Sequence, residues 1–136
     1  MSLGRKPSPE VAERHAADRE LAAGLRDRLA DAQEAEDRLR SAQAEERPYA
    51  EVAPFAIGYE RALQAAILAA DAAERVAMGP KSYEHGDAGQ RRGAQIAARR
   101  ARAKPSVRPY TDELDRLRTL RERHKMTFRT SPTVAS

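Results

Sequence analysis

Seven cations lie within one stretch, GQRRGAQIAARRARAKPSVRP, Gly89 to Pro109: Arg91, Arg92, Arg99, Arg100, Arg102, Lys104 and Arg108. The stretch holds no acid. Guanidinium groups hold phosphate and carboxylate through paired donors, so arginines gathered without acids form a surface for an anion. On a helix turning about 100° per residue, Arg91, Arg92, Arg99, Arg100 and Arg102 fall within about half the circumference. Ala94, Ala97, Ala98 and Ala101 fall on the other side, and Ile96 is an exception on the arginine side. The spacing predicts a two-faced helix, alanine for docking and arginine for a partner. No aromatic residue interleaves with the arginines, so stacking on single-stranded bases is not indicated. No helix-turn-helix pair with its short Gly-containing turn is present either. The expected partner is DNA or RNA, held through its phosphates without base preference, or an acidic protein surface such as that of a neighbouring copy.

Other chemistry is sparse. Glu84, His85 and Asp87 lie close together in YEHGD, but a metal site would need a second histidine at helical spacing, and a solvated loop is the expectation. His15 and His124 are isolated and read as surface or flank residues. Glu45 and Glu46 sit in a like-charged run with no apolar pocket nearby to separate their acidities. The chain has no cysteine, hence no thiolate chemistry and no disulfide. It has no nucleophile elbow and no phosphate loop, and GDAGQRRG neither follows a strand nor ends in Gly-Lys-Ser/Thr. No catalysis, cofactor, metal or small-molecule substrate is expected.

The elements that must carry the arginines are helical. Ser8 is a candidate N-cap, Pro9 suits the first helical position, and no proline follows until Pro48. One helix of about 9–46 would be about 55 Å long. Its apolar stripe is Val11, Leu21, Leu25, Leu29, Ala32, Leu39 and Ala42, with Gly24 as the weak point. A second helix runs from about 50 or 54 to Met78, with Val52, Phe55, Tyr59, Leu63, Ala66, Ile67 and Ala70 on its stripe and Gly79 as its C-terminal cap. A short break between two long amphipathic helices predicts an antiparallel, coiled-coil-like hairpin. Leu21, Leu25, Leu29, Leu39, Phe55, Tyr59, Leu63 and Ile67 are its expected interface, within the pair or between copies. The basic helix follows over about 88–104 and stops at Pro105. KPSVRPY reads as extended, and a short helix capped by Thr111 precedes a tail over 126–136.

Composition limits what such helices can bury. Of 136 residues, 28 are Ala, and Leu, Ile, Val and Phe together number 20, about 15%. That is below the roughly 20% that usually sustains a globular core. The net charge of +4 is unevenly spread: residues 1–90 carry −5 and residues 91–136 carry +9. No run of eighteen apolar residues and no secretory signal is present, so the expected location is the cytoplasm, or a virion assembled there.

The sequence therefore predicts an elongated all-α protein in three parts. Residues 1–8 form a tail, 9–79 an acidic helical hairpin, and 80–136 a basic helical arm with its own tail. Its expected role is structural: oligomerisation through the hairpin and contact with an anionic partner through the arm, as in a phage or bacterial particle. A sequence-non-specific nucleic-acid-binding accessory protein is the alternative.

Overall fold

The computed structural model describes residues 8–79, Tyr83 and residues 88–130; of 88–91 and 129–130 it describes the backbone alone. Among the described residues are five helices and no strand, an all-α fold. Residues 1–7 of the tail expected over 1–8, residues 131–136 of the tail expected over 126–136, and Glu84, His85 and Asp87 lie outside the described residues.

α1 (Pro9–Ala23) begins at Ser8, whose extended backbone and side-chain oxygen cap it. Ser8 Oγ accepts from the Val11 N–H at 3.2 Å, and Pro9 occupies the first turn, where a missing donor costs nothing. The single first helix expected from the sequence is in fact two. α2 (Leu25–Ala44) follows a break at Gly24. Gly24 has φ −87° and ψ 0°, a conformation open to any residue, and a Cβ there would meet only the Leu21 carbonyl oxygen at 3.5 Å. The break therefore reflects the poor helix propensity of glycine, not a conformation that needs glycine. Gly24→Ala is expected to stabilise the chain by about 0.5–1 kcal/mol, read as a higher thermal midpoint with stronger helical ellipticity.

α3 (Tyr49–Met78) is the longest element, at 30 residues, and tolerates Pro54 in its second turn on an exposed position. It ends where expected. Gly79 takes φ 95° and ψ 175°, a region open in practice only to glycine, and its N–H reaches back to the Arg75 and Val76 carbonyls.

α4 (Ala88–Arg102) is the basic helix. The segment after it is not extended: residues 103–107 form turns, and Val107 is buried there. α5 (Arg108–Thr130) accepts Pro109 in its first turn, so it starts before Thr111 and runs through Met126 and Phe128. It is 23 residues long rather than a short helix with a tail. The prolines permit this because a first-turn residue needs no donor.

α3 is the hub. Asp18 of α1 meets Arg75, and Glu36 of α2 meets Tyr59, so α1 and α2 run antiparallel to α3. On another side, Thr111 of α5 meets Glu74, Arg121 meets Glu60 and His124 meets Ala56, so α5 is antiparallel to α3 as well. Leu39, Val52, Tyr59, Leu63, Leu114 and Leu117 form one buried cluster with Ala56, Ala66 and Ala70. The 9–79 segment thus shares its core with α5, and alanines on α3 let both neighbours approach closely.

The packed face of the first two helices follows an unbroken three-and-four spacing: Val11, His15, Asp18, Ala22, Leu25, Leu29, Ala32, Glu36 and Leu39, each half-buried or buried. This corrects the expected stripe. Leu21 lies off that line and is 46% exposed, while three polar residues lie on it. Leu25, Leu29, Phe55 and Ile67 are partly buried against the core, and Leu39, Tyr59 and Leu63 are inside it.

A candidate anion-binding arm and its anchorage

The arginines of α4 stand on a helix that touches the body mainly at its last turns. Ala98 and Ala101 are half-buried, but Ala94 and Ala97 are exposed. The alanine side therefore docks only toward its C-terminal end, short of the full-length docking that the sequence suggested.

Arg102 is exposed, as expected, but it also reaches the body. Its Nε lies 3.4 Å from Oε1 of Glu74, a carboxylate only 3% exposed on α3. Thr111 of α5 donates its hydroxyl to the other Glu74 oxygen at 2.6 Å. A carboxylate at this depth needs donors to offset its lost hydration. Glu74 thus gathers α3, α4 and α5 at one point, and Arg102 sets the root of the arm. The helical wheel allowed an inward turn here, because Arg102 borders the alanine side, but nothing in the local sequence named Glu74 as its partner.

The other cations stay outside. Arg92, Arg99, Arg100, Lys104 and Arg108 are exposed. Arg108 lies 3.9 Å from Asp112 with both side chains largely in solvent, a geometry worth little. For Arg92, Arg99, Arg100 and Lys104, no ion pair forms among the described residues. The side chain of Arg91 lies outside the described residues. The acid-free run continues to Thr111, since Asp112 is the first carboxylate after it.

A second polar cluster was not visible in the sequence. Asp18 is 7% exposed between α1 and α3. Arg75 donates from Nε to Asp18 Oδ2 at 2.7 Å and from Nη2 to Oδ1 at 2.9 Å, the paired fork geometry. The Tyr83 hydroxyl donates to the same carboxylate, and the His15 ring meets the Tyr83 ring edge-on at 5.9 Å. Hydrogen bonding from Arg75, helped by Tyr83, holds the Asp18 carboxyl below its ordinary range against the opposing effect of burial. Burial, with Asp18 beside it, pushes the Tyr83 hydroxyl up to about 12. Tyr83 lies between α3 and α4 in the sequence, and this cluster holds its side chain on the α1–α3 seam.

His124, expected at the surface, is buried at 9% exposure, and its Nε2 donates to the Ala56 carbonyl at 2.8 Å. Its ring packs on Tyr59 at 4.8 Å and on Phe128 at 4.8 Å. Tyr59 in turn donates to Glu36 Oε2 at 2.7 Å, and burial raises its hydroxyl well above the usual tyrosine range. Beside these rings, a groove of about 520 Å³ opens between α3 and α5, lined by Tyr49, Ile57, Arg61, Gln64, Lys125 and Phe128. Among the described residues no group of three or more His, Cys, Asp or Glu is placed to hold a metal ion, and no helix is long and apolar enough to cross a membrane.

No family model, no curated protein and no solved structure matches the chain.

Proposed function

We propose that the protein is a non-enzymatic structural component that assembles with copies of itself and engages an anionic partner through α4. The observation that carries this reading is the run of exposed, uncompensated cations: Arg92, Arg99 and Arg100 on α4, and Lys104 in the turn that follows, with the helix rooted to the body by Arg102 and Glu74. A charged face held in one orientation steers and binds an oppositely charged surface better than the same charges on a free tail. The setting that suits such a protein is a phage or bacterial particle assembled in the cytoplasm.

Self-association has its best surface on the outer side of α3. The inner stripes are largely occupied by α1, α2 and α5, so they are not free for a second copy. Ile57 at 53% and Leu68 at 60% exposure remain outside on α3, with Tyr49 at its start. Ile57 and Leu68 fall on one line of α3, with Arg61 and Gln64 between them, and pairing with a second copy would cover both.

Two measurements test this reading. Sedimentation of the purified chain is expected to show an oligomer, and Ile57→Glu with Leu68→Glu is expected to yield a monomer of unchanged helicity. Retention on a heparin column is expected to require Arg92, Arg99 and Arg100; a wild-type chain that passes unretained at low salt removes the anion-binding half of the reading.

A further inference from the structure

We infer that the anionic partner of the arm is duplex DNA, with α4 lying in the major groove and its cations on the phosphates of the groove walls. This rests on the reading above and specifies its partner.

Three features of α4 lead there. The first is the arrangement of its open side. Arg92 and Arg99 are seven residues apart, about 10.5 Å along the axis and nearly in line. Arg100 lies about 100° further round from Arg99, and Ile96 falls between them. Ile96 is 47% exposed, an apolar side chain amid arginines that the body of the protein does not cover. A helix about 10–12 Å across matches a major groove about 12 Å wide. In that position arginines on the two flanks reach opposite walls, and the residue between them faces the base edges, where an apolar side chain has thymine methyl groups to meet.

The second feature is the poverty of apolar anchors. A protein partner would be held by several buried large side chains at the centre of the contact. The exposed face of α4 offers one, Ile96, and otherwise alanine. Attraction must come from charge, which demands a dense and regular anion. Duplex DNA supplies one charge per about 1.7 Å of axis. The third feature separates forms of nucleic acid. No aromatic residue lies on α4 to stack with single-stranded bases. The major groove of duplex RNA is too deep and narrow to admit a helix.

The test is fluorescence anisotropy of the full-length chain with two unrelated DNA duplexes, a duplex RNA, single-stranded DNA and polyglutamate, each titrated with salt. Both DNA duplexes, chosen with equal thymine content, are expected to bind alike. The logarithm of affinity should fall with the logarithm of salt at a slope of about −4, for Arg92, Arg99, Arg100 and Lys104 each neutralising one phosphate. Changing Arg92, Arg99 and Arg100 together to Ala is expected to flatten the slope to about −1, and the same three changed to Lys should retain it. Ile96→Ala should weaken binding about five-fold with the slope unchanged. Circular dichroism of each variant confirms that α4 stays helical. Duplex RNA or single-stranded DNA bound as tightly as duplex DNA overturns the groove assignment. Binding to polyglutamate but not to duplex DNA overturns the DNA partner and leaves the anion-binding reading standing. Binding to none of the probes, and no retention on heparin, removes both.

Discussion

Leu63→Asp is expected to abolish the cooperative thermal transition, while Leu21→Asp shifts its midpoint by no more than about 2 °C. Both are leucines that the apolar pattern of the sequence marks as interface. Leu63 has 0% exposure and sits where α2, α3 and α5 converge, within a cluster that contains Leu39, Leu114 and Leu117. The cluster holds no cation, and its Tyr59 hydroxyl is already given to Glu36, so a carboxylate there is left unpaired, which costs several kcal/mol. Few other large side chains support this core, since most of the buried positions on α3 are alanine. Each alanine contributes one methyl of burial, so the leucines hold a disproportionate share of the stability. Leu63→Ala should itself cost about 3 kcal/mol, measured by urea denaturation. Comparable effects at Leu21 and Leu63 would show that α1 packs on α3 through another face.

The second large effect is expected at the Asp18–Arg75 pair. Arg75→Ala should cost about 2–3 kcal/mol, below the full penalty for stranding a buried charge because Arg75 is itself about one-third exposed. Asp18→Ala should cost less, because Arg75 keeps Asp71 at 2.8 Å. The double variant should be more stable than Arg75→Ala alone, since removing Asp18 removes the stranded charge. Urea titrations of the three variants measure this order, and a double variant less stable than Arg75→Ala refutes it.

The pH dependence has a definite sign. The Asp18 carboxyl is held below its ordinary value of 3.8, so the folded state binds fewer protons there than the unfolded chain. Its contribution is fully present above about pH 3.8 and is lost as pH falls through the lower folded value. Asp18→Asn should remove that part of the acid limb. Tyr83 behaves in the opposite sense. Its raised value, about 12 against 10.0, contributes stability that is complete below pH 10.0 and is lost as pH rises through about 12. Tyr83→Phe should remove that part of the alkaline limb and also reduce the acid limb, because the Tyr83 hydroxyl helps hold the Asp18 carboxyl down.

The helical class and several helix ends were legible in the sequence because their causes are local, whereas both ends of α5 were not. Ser8 and Pro9 start α1, Pro48 precedes α3, Gly79 ends it at a backbone angle closed to other residues, and alanine, arginine and glutamate favour helix throughout. The uncompensated charge of α4 was legible for the same reason: it is a property of consecutive residues. Gly24 was visible as a weak point, though not as a break.

Tertiary structure decided which face of each helix turns inward. Leu21 belongs to the stripe by residue type, yet the packed line runs through His15, Asp18 and Glu36. Polar residues are admitted there only because Arg75 lies across from Asp18, 57 positions later in the chain, and Tyr59 across from Glu36. In the same way Glu74 reads as one more helix-surface carboxylate until Arg102 and Thr111 are placed beside it. Propensity and capping act over a few residues, so a sequence states them openly. The burial of a charge is settled by a partner from elsewhere in the chain, and only folding brings the two together.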